Sequence, residues 1–186
     1  MTALEQFGPI PTKDHPRIVA AWQPYKVAEG QFLVPTHTIC EKLFFIQEGV
    51  LRIVLQPVRG RETTYAFVSE NQFSTILAGF NHHKSANTGI QAACASQLLV
   101  INRSQLADLF QQLSYLPDLF AQLIQAALQQ KIRTQQAYMG QPARAKYELF
   151  LHHEADIAPR IPQHMIASYL GITPQSLSRL RAVRAN

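Results

Sequence analysis

Gln175, Ser176 and Arg179 stand within four residues of one another, just after Thr173 and Pro174 and just before Arg181 and Arg184. On a helix that spacing gathers the three onto one side. Glutamine and arginine can each make paired hydrogen bonds to a base edge in the DNA major groove. Short hydroxyl side chains such as Thr173, Ser176 and Ser178 let a helix approach closely enough for that. Arg181 and Arg184 suit phosphate oxygens, which fix position without reading sequence. From Ile157 to Asn186 there is no Asp or Glu, while Arg160, Arg179, Arg181 and Arg184 are all present. The plainer reading of the same residues is a helical hairpin with a solvated basic end.

Two short helices around a sharp turn would hold these side chains. Pro162 suits a first helical turn, where a missing N–H is harmless. Ile166, Ala167 and Leu170 recur at helical spacing. Gly171 stops that helix, because glycine enters the left-handed region without steric cost. Thr173 can cap the second helix with its hydroxyl, and Pro174 fits the next position. Leu177 and Leu180 then form a buried face. The run Ile166-Ala-Ser-Tyr-Leu-Gly-Ile-Thr-Pro-Gln-Ser-Leu-Ser-Arg-Leu-Arg181 resembles the helix-turn-helix of CRP/FNR-type transcription regulators. The resemblance implies a cyclic-nucleotide-binding-like roll, a dimerisation helix and a DNA-reading helical pair, in that order.

The bounds agree with that plan. A chain of 186 residues can bury a sizeable core and fits one large domain plus a small one. Hydrophobic residues make up 47%, which argues against disorder. The net charge of +5 favours an anionic partner. Cys40 and Cys94 are too few for a disulfide scaffold or a cysteine-ligated cluster. No basic segment followed by an apolar run opens the chain, and no apolar stretch approaches the ~20 residues of a membrane span. A cytoplasmic protein with no membrane partner is expected.

Residues 1–24 are punctuated by Pro9, Pro11, Pro16 and Pro24, with room for one short helix over Arg17–Trp22. Short β-rich runs follow at 25–27, 31–34, 43–46, 50–55, 63–68, 89–94 and 97–101. Turn signals separate them at Glu29-Gly30, Glu48-Gly49, Arg59-Gly60 and Glu70-Asn71. Many short strands at regular spacing predict an antiparallel roll. The segment Leu43-Phe-Phe-Ile-Gln-Glu-Gly-Val-Leu-Arg52 resembles the strand–glycine–strand hairpin of the CRP/FNR family. Periodicity turns helical at Ser104, breaks near Pro117, and continues in a long helix over 118–139. One stripe of it carries Leu119, Phe120, Leu123, Ile124, Ala127, Lys131, Thr134 and Tyr138, nearly as a heptad. Pairing with a second copy is the direct reading, and packing against the chain's own roll is the alternative. A further helix over 142–157 turns Tyr147, Phe150 and Leu151 inward. The expected class is α+β: an N-terminal antiparallel, jelly-roll-like β-roll over 1–105, dimerisation helices over 106–140, and a winged-helix-like helix-turn-helix over 141–186. The resemblance also implies a β-hairpin wing beyond the second reading helix, which the sequence up to Asn186 does not include. Fewer phosphate contacts and weaker, less salt-sensitive binding are expected without it.

The family resemblance also suggests where an effector would sit. Cyclic-nucleotide sensors of this family hold the ligand in a phosphate cassette of the form Phe-x-Gly-Glu-x-x-x-Phe, with an Arg-Ser/Thr-Ala sequence after a short gap. The corresponding residues here run from Phe73 to Phe80 and continue at Asn87-Thr88-Gly89. Thr75 replaces the glycine, Ile76 the glutamate and Asn87 the arginine, and Thr88 alone keeps its chemistry. A cyclic phosphate enclosed in a partly buried cradle needs a charge partner. Asn87 supplies none, and Lys84 lies in the loop after the cassette. The substitutions therefore argue against cAMP or cGMP. Phe73, Thr75, Ile76, Leu77, Lys84, Asn87, Thr88 and Thr134 remain the candidate pocket for an unknown small-molecule effector.

No catalytic or metal site is expected. His82-His83 and His152-His153 are adjacent pairs, a poor ligand spacing on either a strand or a helix. The His-x-His pair and distant carboxylate of a metal-dependent β-roll enzyme are missing, as is any nucleophile–base–orienter set. The expected partners are double-stranded DNA and a second copy of the chain through helix 118–139, with RNA polymerase as a candidate further contact. The competing hypothesis is a ligand-binding or scaffold protein whose helix-turn-helix no longer binds DNA.

Overall fold

The computed structural model describes residues 2–56 and 60–185, apart from the side chains of Thr2, Arg184 and Ala185. Helices α1 (Thr2–Glu5) and α2 (His15–Ala20) precede strands β1 (Gln23–Val27), β2 (Phe32–Val34), β3 (Lys42–Glu48) and β4 (Leu51–Leu55). Strands β5 (Thr63–Val68) and β6 (Phe73–Ser74), helix α3 (Leu77–His82), and strands β7 (Thr88–Ala92) and β8 (Ser96–Asn102) complete the β-rich part. The helical part is α4 (Arg103–Gln112), α5 (Leu116–Tyr138), α6 (Ala143–His153), α7 (Gln163–Leu170) and α8 (Pro174–Ala185). Two four-stranded antiparallel sheets, ordered β1-β8-β3-β6 and β2-β7-β4-β5, pack face to face as a roll. The architecture is the α+β roll-then-helices plan expected from the sequence.

The continuous apolar run at 43–46 reads as a strand covered on both faces. Phe44 and Ile46 point into the roll, where they meet Val27, Leu51, Ile90 and Leu98. Leu43 points the other way, into a cluster with Ile101, Leu106, Leu116 and Phe120. That second cluster fixes α1, α2, α4 and the start of α5 on the outside of the roll. A third joins Val50, Ala93 and Phe67 of the roll to Tyr147, Phe150, Ile166 and Leu177 of the C-terminal helices. Gly49 makes the turn between β3 and β4 at φ 110, and a Cβ there would meet Ser96 Cα at 2.7 Å.

Several boundaries differ from the sequence expectation for local reasons. α4 begins at Arg103 because Asn102 and Gln105 form a reciprocal capping box. The break before α5 falls ahead of Pro117, which sits in the first turn of α5, where proline is tolerated. α6 stops at His153, short of 157, and turns lead into α7. Neither β6 nor α3 was expected, since residues 73–82 carry no clear periodicity. β6 is held by pairing of Phe45 with Phe73 and Phe44 with Ser74. The expected turn at Arg59-Gly60 lies partly outside the described residues.

Of the stripe read along α5, Leu119 and Phe120 are buried, Leu123, Ile124, Lys131, Thr134 and Tyr138 are half-buried, and Ala127 is exposed. Lys131 Nζ sits 3.7 Å from the ring centre of Tyr65, the residue that the β4–β5 register skips. A different row, Leu128 and Ile132 of the same helix with Met139 just past its end, is exposed at 48%, 53% and 74%.

Candidate nucleic-acid interface

The turn between α7 and α8 follows from its sequence. Met165, Ile166, Ala167 and Leu170 recur on one side of α7 and are buried. Gly171 closes that helix in the left-handed region at φ 67. The Ile172 amide donates to the Ala167 carbonyl at 3.0 Å, and the Ser176 amide donates to Thr173 Oγ1 at 3.1 Å. Thr173 therefore caps α8, with Pro174 as its first residue. Leu177 is buried, while Leu180 is only half-buried.

This fixes what α8 presents. Gln175, Ser178, Arg179 and Ala182 are exposed, and their spacing of i, i+3, i+4 and i+7 makes them one face. Thr173 and Ser176 play a different part: their hydroxyls lie 2.9 Å apart and belong to the cap. Arg181 is exposed on the flank of the helix. The Arg184 side chain lies outside the described residues.

α6 borders this face, a feature that the sequence reading missed. A groove of about 620 Å³ runs between α6 and α8. Ala143, Tyr147, Leu180 and Val183 supply its apolar lining. Arg144, Glu148, Ser176 and Arg179 supply its polar lining. Arg144 Nε donates to Glu148 Oε1 at 2.9 Å, one helical turn away. The Arg-x-x-x-Glu spacing was legible, but nothing in the sequence placed it beside Arg179.

The same helices are fastened to the roll. The Thr64 amide, on edge strand β5, donates to Ser168 Oγ of α7 at 2.8 Å. The Thr64 hydroxyl accepts from buried Arg52, whose guanidinium also reaches Gln91 and Glu62 at 2.6 Å each. Arg160 grips Glu70 through Nη2 at 2.5 Å and Nη1 at 3.2 Å. Glu70 also accepts from the Gly49 amide at 2.7 Å. The Arg160 hydrogen bond dominates in holding the Glu70 carboxyl down from 4.5 to about 2, against some opposing desolvation. Arg160 therefore belongs to this contact and is not one of the free cations of the basic end. Phe67 stacks 5.2 Å from Tyr169 and 6.1 Å from Phe150, and Tyr138 lies 5.6 Å from Tyr169. Burial pushes the Tyr169 hydroxyl up to about 12 and raises the Glu154 carboxyl.

The candidate effector residues have different surroundings. Phe73 faces the helices, stacked near Trp22, Phe45 and Phe120. Ile76 is buried among the roll's own apolar side chains. Thr75 Oγ1 donates to the Lys42 carbonyl at 2.8 Å, and Thr134 Oγ1 to the Gln130 carbonyl of its own helix at 3.0 Å. Leu77 opens α3, Thr88 opens β7, and Lys84 and Asn87 are exposed. The 620 Å³ groove and a cleft of about 60 Å³ beside Trp22 and Phe73 both lie outside the roll interior. Among the described residues no cluster of His, Cys, Asp or Glu could hold a metal ion, and no helix is long and apolar enough to cross a membrane.

The family profile of the cyclic nucleotide-binding domain matches residues 25–113. The c-di-GMP-responsive global regulator CLP of Xanthomonas campestris superposes with a TM-score of 0.73 at 14% identity, covering 94% of this chain and 92% of that one. A regulator assigned to the crp/fnr family from Eubacterium rectale gives 0.70 at 16% identity, covering 97% and 88%. The catabolite activator protein of Thermus thermophilus gives 0.60 at 16% identity, covering 98% and 86%. No curated protein matches the sequence. Residues 25–113 match the cyclic nucleotide-binding domain family, and the chain as a whole has the fold of the CRP/FNR-type regulators that its sequence resembles.

Proposed function

We propose that the chain is a homodimeric, cytoplasmic, DNA-binding transcription regulator of the CRP/FNR type, with no catalytic role. Three parts divide the work: a roll over 1–105, a dimerisation segment over 106–140, and a helix-turn-helix over 141–186. The observation that carries the reading is the exposed face of α8, where Gln175, Ser178 and Arg179 stand together on a helix free of acidic residues. Arg179 and Gln175 would meet base edges, and Ser178 would permit close approach. Thr173 and Ser176 shape the start of the helix, and Arg181 and Arg184 would hold phosphates. A second copy would cover Leu128 and Ile132 of α5, with Met139 just past its end, and so set the distance between the two α8 helices. That distance must match half-sites about one helical turn, ~34 Å, apart. RNA polymerase is the further partner that an activator would need.

The roll is proposed to take neither cAMP nor cGMP. Ile76 fills the core where the family's cassette has a carboxylate, and Asn87 brings no charge to a phosphate. The CLP protein of this fold is described as c-di-GMP responsive, so another small molecule remains the expected class of effector. An effector can act only by favouring one spacing of the α8 pair over another. Fluorescence anisotropy with labelled mixed-sequence duplexes at low salt tests the central reading. Binding that weakens steeply with added salt supports it, and no binding at any salt overturns it.

A further inference from the structure

We propose that the groove between α6 and α8 seats one sugar-phosphate strand of the bound duplex, with Arg144 as a phosphate ligand and Glu148 as the carboxylate it releases on binding. The inference deepens the DNA-binding reading and rests on it. Arg179 connects the two surfaces, since it stands on the exposed face of α8 and also lines the groove. A helix lying in the major groove has a phosphate backbone beside it. α6 borders α8 on the Arg179 side, so the strand flanking the groove would run along it. Two guanidinium groups, Arg144 and Arg179, line that path and match the charge of the backbone.

Glu148 gives the site its particular chemistry. Among the described residues lining the groove it is the one carboxylate. It faces Arg144 at 2.9 Å, and both side chains are largely solvent-exposed, at 58% and 72%. An exposed pair of this kind is weakly held. A phosphate offers the guanidinium a bidentate, charge-assisted alternative, so Arg144 can change partners. The freed Glu148 would then lie near the phosphate it gave way to. The exchange therefore taxes every duplex equally, and only sequences that also satisfy the α8 face bind tightly. Glu148 acts in this account as a restraint on non-specific binding.

The test compares four proteins, wild type, Arg144→Ala, Glu148→Gln and Arg179→Ala, on a selected duplex and on a scrambled one across a salt series. Wild-type binding comes first: if the wild type binds no duplex, the underlying DNA reading has failed, and this proposal with it. Given wild-type binding, Arg144→Ala should weaken both duplexes by a similar factor, about 3- to 10-fold, and reduce the log–log salt slope by about 0.9. Glu148→Gln should tighten both duplexes several-fold, by a similar factor. Arg179→Ala should act mainly on the selected duplex. Unchanged affinity and slope in Arg144→Ala, or weaker or unchanged binding in Glu148→Gln, overturns the proposal while leaving the DNA reading intact, and the groove would then be open to a protein partner instead. Thermal unfolding of each variant serves as the control for folding, since the pair lies on the surface.

Discussion

Arg179 and Arg160 carry the same guanidinium and do different things, because their neighbours differ. Arg179 stands on the exposed face of α8, with no ion-pair partner among the described residues. Arg179→Ala should cost roughly 1–3 kcal/mol on the preferred sequence and relax specificity at one base pair, read by competition anisotropy. An equal loss on every duplex would place Arg179 on a phosphate. Arg160 is already occupied by Glu70, whose carboxyl is held down at about 2. A carboxyl with a depressed folded-state value stabilises the fold above its ordinary value and loses that contribution as pH falls. Here the contribution is complete above about 4.5 and fades between there and about 2. The thermal midpoint of the wild type should therefore fall more steeply between pH 5 and pH 3 than that of Glu70→Gln, by calorimetry. Parallel curves would mean that the pair adds nothing to stability. None of this was visible in the sequence, where Arg160 reads as one more basic residue; only the tertiary contact separates it from Arg179.

At the scale of elements, the sequence was most informative where local chemistry decides the outcome. The α7–α8 turn was legible because Gly171, Thr173 and Pro174 each have one conformational use there. The strand runs were legible from β-rich composition and turn residues. β6 and α3 were not, because a two-residue strand is held by its partner β3 rather than by its own pattern. α5 shows a further kind of gap. It carries two apolar rows, and the sequence cannot say which is covered by the roll and which is left free. The free row gives a prediction: Ile132→Asp should shift the protein to a monomer at micromolar concentration by sedimentation velocity, with little loss of thermal stability. A dimer that survives the change would place the partner surface elsewhere. Phe150, by contrast, is fully buried between the roll and the C-terminal helices. Phe150→Ala should cost about 3–5 kcal/mol in urea unfolding.

The whole molecule ties its C-terminal helices to its roll. Glu62, Arg52, Thr64 and Ser168 form one hydrogen-bonded line from the β4–β5 hairpin to α7. Gly49, Glu70 and Arg160 form a second line beside it. Both lines run from the roll to the segment that carries α7 and α8. The overall order of roll, long helix and helical pair was legible from the switch in periodicity. The state of the cassette was legible only as lost charges. The structure adds that Phe73 and Ile76 belong to different apolar clusters.

Sequence-specific recognition by a pair of α8 helices is the central proposal. The most direct measurement is selection of duplexes from a random library by the purified full chain, followed by sequencing. The account predicts enrichment of a two-fold symmetric motif with half-sites about one helical turn apart, and loss of one conserved base pair per half-site when the selection is repeated with Arg179→Ala. A library that stays random through successive rounds, or a motif without two-fold symmetry, would contradict it.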